Sequence, residues 1–171
     1  MSLAATLIQE LEQKAVVTRR VLERVPEASF DWAPAPRTRT LGQLAMHIAT
    51  NPGNVMALAA ANPSSMPDMT EETPTSRAHL LQTLDESVLA ATRLLASMSD
   101  AQITEHWTVR AGDREILAMP RDAFLRAVFL NHWYHHRGQL TIYLRLLGET
   151  VPAIYGPSAD ENPFAEVRAV A

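Results

Sequence analysis

Asn131-His132-Trp133-Tyr134-His135-His136-Arg137-Gly138-Gln139-Leu140 has the spacing of a helix that carries polar rings where leucines normally sit. Extending its four-and-three rhythm places Leu125, Phe129, His132, His136, Leu140 and Tyr143 on one face of a helix from about Pro120 to Leu147. Pro120 suits a first helical turn, where an N–H is not needed, and Gly148 suits a C-terminal cap. Residues four apart lie one turn apart on the same face, so His132 and His136 aim two imidazoles at one point. His135 is rotated by about 100° from His136 and points elsewhere. Two imidazoles on a core face need partners, because a buried polar group without one costs roughly 1–3 kcal/mol. A metal ion satisfies both; hydrogen bonds to side chains or backbone are the plainer alternative.

The remaining periodicity is also helical. Leu3, Leu7, Leu11, Val21 and Val25 mark a first helix from about Ser2 to Val25, stopped by Pro26. Phe30, Trp32, Pro34 and Pro36 place a loop over one end of the molecule up to Arg39. Thr40 and Gln43 form a capping-box pattern ahead of Leu41, Leu44, Ala45 and Ile48. Asn51-Pro52-Gly53 predicts a kink or break in this second helix, which resumes over Val55 to Ala61. Asn62 to Thr75 reads as a solvent loop. Leu80, Leu84, Val88, Ala91, Leu95 and Met98 give a third core stripe over Ser76 to Met98. Trp107 to Arg110 and Arg114 to Leu117, flanking Ala111-Gly112-Asp113, predict a short β-hairpin. The tail from Val151 reads as extended. With no internal repeat and no boundary, residues 1–171 form one all-α domain, a four-helix bundle with a small hairpin before its last helix.

Composition narrows the functions open to such a bundle. The chain has 171 residues, 47% of them hydrophobic, enough for a full core. Its formal net charge is −4 and it has no dense basic run, which argues against nucleic-acid binding. No apolar stretch reaches the ~20 residues of a membrane helix. The acidic, amphipathic beginning does not read as a signal peptide, so the cytoplasm is the expected location. There is no cysteine, which removes disulfides, thiolate ligands and a protein-borne thiol nucleophile.

His47 continues the Leu44 face of the second helix, yet spacing alone does not join it to the His132–His136 pair. Two blocks supply the join. The segment from Asp31-Trp32 through Thr40-Leu41-Gly42-Gln43-Leu44-Ala45-Met46-His47-Ile48, together with the His132–Leu140 block and its Arg-Gly-Gln, resembles the DinB/YfiT-like family of metal-binding four-helix bundles. The tail Ile154-Tyr155-Gly156-Pro157-Ser158-Ala159-Asp160 is similar to tails in that group. The resemblance implies a metal triad of His47, His132 and His136, an up-down-down-up bundle and a homodimer. Some members of the family resemble S-transferases or isomerases that use a low-molecular-weight thiol activated by the metal.

Three histidines accept zinc, nickel, cobalt, iron or manganese and leave positions open for a ligand. The expected function is therefore a metal-dependent enzyme acting on a small molecule, activating a low-molecular-weight thiol as an S-transferase does or water as a hydrolase does. The alternative is a non-catalytic metal or small-ligand binding protein of a stress response. Gln43 and Gln139 are candidates to orient the imidazoles, against a helix-capping role for Gln43 and an interhelical contact for Gln139. Arg137 is a candidate to bind an anionic substrate, against an ordinary surface role. Asp85 and Glu86 read as solvated, so no catalytic base is assigned. A free imidazole titrates near ~6.5, which predicts that metal affinity falls below about pH 6.

Overall fold

Each of the first three long helices begins at a residue whose side chain accepts a hydrogen bond from an otherwise unpaired amide. The computed structural model describes residues 2–67 and 70–165. Ser2 caps α1 (Leu3–Leu22), Thr40 caps α2 (Leu41–Ala60) and Ser76 caps α3 (Arg77–Ala96). The capping box at α2 is complete: Thr40 Oγ1 accepts from the Gln43 amide at 3.2 Å, and Gln43 Oε1 accepts from the Thr40 amide at 2.8 Å. The last helical run is contiguous over residues 121–146 and has three parts. They are α5 (Arg121–Phe124), a π-helical segment (Leu125–Asn131) and α6 (His132–Leu146), with a short α4 (Asp100–Thr104) after α3. Gly148, at φ 77°, closes α6, and the Glu149 amide returns to the Leu144 carbonyl at 2.9 Å.

Side-chain contacts fix the helix directions. Arg19 meets Asp85 at 2.6 Å and the Leu3 amide meets Asp100 at 2.9 Å, so α1 and α3 are antiparallel. Gly42 lies against Thr73, just before α3, while Gly53 lies against Ser87 in its middle, so α2 and α3 are parallel. Glu10 meets Tyr134 and Thr18 meets Arg137, which makes α1 and α6 parallel. Ile48 meets Trp133 and Arg39 meets Tyr143, which makes α2 and α6 antiparallel. The bundle is therefore up-down-down-up. Its core includes Leu11, Leu22, Leu44, Ile48, Leu84, Leu95, Phe129 and Leu140, all at most 2% exposed.

The expected break at Asn51-Pro52-Gly53 does not occur, since α2 runs through Pro52. Proline removes the donor that would reach the Ile48 carbonyl one turn earlier. The Trp133 indole N–H occupies that acceptor at 2.8 Å. Ser87 repairs the next turn: its Oγ accepts from the Gly53 amide at 2.8 Å and donates to the Thr50 carbonyl at 3.1 Å. An added Cβ at Gly53 would stand 3.1 Å from that same Oγ, so glycine permits the approach. Neighbouring helices thus satisfy what the proline leaves open.

The expected hairpin is present and longer. β2 (His106–Ala111) pairs antiparallel with β3 (Arg114–Pro120), with Gly112 at φ 59° in the turn. A two-residue β1 (Ser64–Ser65), inside the stretch expected to be solvent loop, adds a parallel edge to β2. The tail is not extended. Ser158 Oγ donates to the Val151 carbonyl, and Asp160 and Glu161 accept from the Val151 and Ala153 amides, so the chain turns back on itself. Arg145 and Arg20 pair with Asp160 and Glu161 and hold this loop on α6 and α1. The expected tail beyond residue 165 lies outside the described residues.

Candidate metal centre

The two irregularities in the helix framework meet at the histidines. The π-helical segment ends where α6 begins, and the His132 amide reaches back five residues to the Ala127 carbonyl. Asn51, the residue before Pro52, is buried between the two helices. Its Nδ2 donates to the Phe129 carbonyl at 3.4 Å, and its Oδ1 lies 3.1 Å from His132 Nδ1. A carbonyl only accepts, so the Phe129 contact fixes the amide orientation and makes His132 Nδ1–H the donor to Oδ1. On the next turn, Gln139 Oε1, an acceptor, lies 2.6 Å from His136 Nδ1 and pairs with Nδ1–H.

With both Nδ1 atoms protonated, each Nε2 presents a lone pair. The two Nε2 atoms face each other at 2.9 Å. His47 joins them from α2, its ring centre 4.6 Å from that of His136 and 5.3 Å from that of His132. One ring nitrogen from each of the three lies within 4.8 Å of the others. His47 Nε2 is buried and has no hydrogen-bond partner among the described residues. A buried nitrogen without a partner, beside two lone pairs aimed at each other, is an arrangement that a cation resolves and that packing alone disfavours.

The electrostatics keep the three imidazoles neutral. Burial pushes His47 down to about 3, with Arg39 adding to the effect. Burial pushes His136 down to about 4, opposed by its bond to Gln139. His132 is lowered by burial and then by His135 and Arg39. Neutral imidazole is the ligating form.

The structure thus brings together His47, His132 and His136, and leaves His135 exposed on another face. Gln139 orients His136, whereas Gln43 completes the α2 cap. Arg137 is not placed as expected. It is 1% exposed and turned toward α1 and the tail, where it donates to Thr18 Oγ1 at 3.0 Å and Tyr155 Oη at 2.6 Å and lies over the Tyr134 ring. Rotation of one residue around α6 takes it off the histidine face. Asp85 sits on the surface, paired with Arg19. Asn51 was missed as an imidazole partner, because an asparagine before proline reads as a helix breaker.

Beside His136 opens a cavity of about 510 Å³, bordered by Arg37, Arg39, Glu71, Gln139 and Tyr143. Arg39 Nε lies 2.6 Å from Glu71, and the Tyr143 hydroxyl donates to the Arg39 carbonyl at 3.3 Å. The centre is therefore buried on its bundle side and open toward one pocket.

Known proteins agree with this architecture. YrdA of Bacillus subtilis strain 168, an uncharacterized protein, is 26% identical over 157 residues, covering 90% of this chain and 89% of its own. A DinB-like protein from Bacillus cereus ATCC 10987 superposes with a TM-score of 0.68 at 26% identity, covering 87% of this chain and 95% of its own. YfiT from Bacillus subtilis, described as a probable metal-dependent hydrolase with an unusual four-helix bundle topology, superposes with a TM-score of 0.63 at 16% identity; the match covers 85% of this chain and 87% of its own. The likeness to YfiT is one of fold. The DinB family pattern itself matches residues 1–165. An up-down-down-up bundle with three histidines gathered from its second and last helices, matched along nearly its whole length, makes this chain a member of the DinB family.

Proposed function

We propose that the chain binds one divalent metal ion through His47, His132 and His136 and uses it to activate a small-molecule nucleophile. The observation that carries this reading is the buried, unpartnered Nε2 of His47 beside two Nε2 lone pairs held 2.9 Å apart. The description of YfiT as a probable metal-dependent hydrolase on the same fold supports it. When bound, such a cation supplies Lewis acidity that makes a thiol or water nucleophilic near neutral pH.

The chain's own residues do the rest. Asn51 and Gln139 hold two imidazoles with Nε2 inward, and burial keeps all three unprotonated. Three protein ligands would leave such an ion open to a further ligand, and Gln139, Arg39 and Tyr143 border the cavity beside His136. The chain has no cysteine, so a thiol nucleophile comes from a cosubstrate. A low-molecular-weight thiol transferred to an electrophile is the first form of the reaction, and hydrolysis by water is the second.

Cobalt(II) substitution tests the reading. Visible bands saturating at one equivalent, and altered by added mercaptoethanol, are expected. Assays of an electrophile with and without thiol then separate transfer from hydrolysis. Bands that His136→Ala leaves unchanged would contradict the proposed ligands.

A further inference from the structure

The cavity beside His136 is set apart by two arginines on one short segment. Arg39 is bound to Glu71, a carboxylate contributed by the loop between α2 and α3. Arg37 lines the same cavity, is exposed, and has no acidic partner among the described residues. Its backbone lies at φ 68°, the one non-glycine in the left-handed region among the described residues. Arg37 is the third residue of the turn Ala35-Pro36-Arg37-Thr38, closed by the Thr38 amide on the Ala35 carbonyl at 3.3 Å, and this turn sets the side chain at the cavity. The electrostatic sum points the same way. Three neutral imidazoles leave the charge of a divalent ion uncompensated, Arg39 is neutralised by Glu71, and Arg37 adds a further positive charge.

We infer that this pocket takes a small molecule bearing a carboxylate, which pairs with Arg37 while the molecule's nucleophilic end faces the histidine triad. Glu71 on Arg39 shows the kind of group the segment accepts, and it occupies the second arginine until a ligand with two carboxylates exchanges with it. The inference rests on the metal reading above and names the substrate class for the same site.

The test uses the cobalt-loaded protein and matched thiols. Mercaptopropionate and its longer homologue mercaptohexanoate are titrated beside the corresponding mercaptoalcohols, with the cobalt bands as readout. Each pair shares the sulfur, so the difference in affinity isolates the carboxylate. The acids should bind about fivefold to tenfold more tightly than the alcohols at low salt, and the gap should narrow as salt rises. Arg37→Asn tolerates the left-handed backbone and removes the guanidinium; it should abolish the gap between acid and alcohol. Glu71→Gln should widen the gap by freeing Arg39. Equal affinities of acid and alcohol for both chain lengths in the wild type would overturn the inference and leave the metal centre standing. Failure of cobalt to bind would overturn the metal reading, and this inference with it.

Discussion

The indole of Trp133 donates to the carbonyl of Ile48, the acceptor that Pro52 leaves without its helical donor. His132 precedes Trp133 and His47 precedes Ile48, so one bond sets the register of the two helices that bring the imidazoles together. Trp133→Phe keeps an aromatic ring, trims a buried side chain and orphans the carbonyl. It should destabilise the protein by about 1–3 kcal/mol in urea unfolding. Adding Pro52→Ala restores a backbone donor to Ile48 and should recover part of the loss. Strict additivity of the two substitutions would refute the coupling.

Asn51 carries the second link between the irregular stretches. Asn51→Leu should weaken metal binding by about 10–100-fold, as the loss of an imidazole's outer partner does. Asn51→Asp retains an acceptor for His132 Nδ1–H and should lose less. Competition with a chromogenic chelator measures both; equal affinity of Asn51→Leu and wild type would remove Asn51 from this role.

The histidine environment predicts a pH profile for the metal-free protein. The unfolded chain takes up protons near ~6.5, whereas burial holds His47 to about 3 and His136 to about 4 in the folded chain. Between those limits the unfolded state binds more protons, so folding stability falls as pH drops from about 6.5 toward about 4. The midpoint of urea unfolding should follow that slope, and His47→Leu should flatten it; identical slopes for the two would contradict it. The same depressions bear on metal binding. Protons compete with the metal at lower pH than they would at a free imidazole, and binding should persist below about pH 6.

The two sequence neighbours of His136 should behave unlike it. His135→Ala should leave metal stoichiometry unchanged, because that ring is exposed on another face. Arg137→Met should also leave it unchanged while lowering stability by roughly 1–3 kcal/mol, since Thr18 and Tyr155 lose a buried partner. Thermal unfolding and metal analysis of both variants give the answer, and loss of metal in either would mean that the helix-face assignment is wrong.

Much of this was legible in local pattern. Period and caps give the four long helices, and the i, i+4 relation gives the His132–His136 pair, because both depend on near neighbours in the chain. The unbroken passage through Pro52 was not legible, since it depends on Trp133 and Ser87 from other helices. The π-helical segment over Leu125–Asn131 has no compositional mark. Arg137 was misplaced because a guanidinium buried against neutral partners, Thr18 and Tyr155, runs against the usual surface habit of arginine. His47 joined the pair only by resemblance; the structure supplies the proximity that spacing lacks.

Elemental mass spectrometry of tag-free protein, wild type beside His132→Ala, tests the three-histidine centre most directly. About one equivalent of a transition metal is expected in the wild type, lost in a variant that keeps its helical circular dichroism. Metal absent from the wild type after reconstitution, or retained equally by a folded His132→Ala, would contradict it.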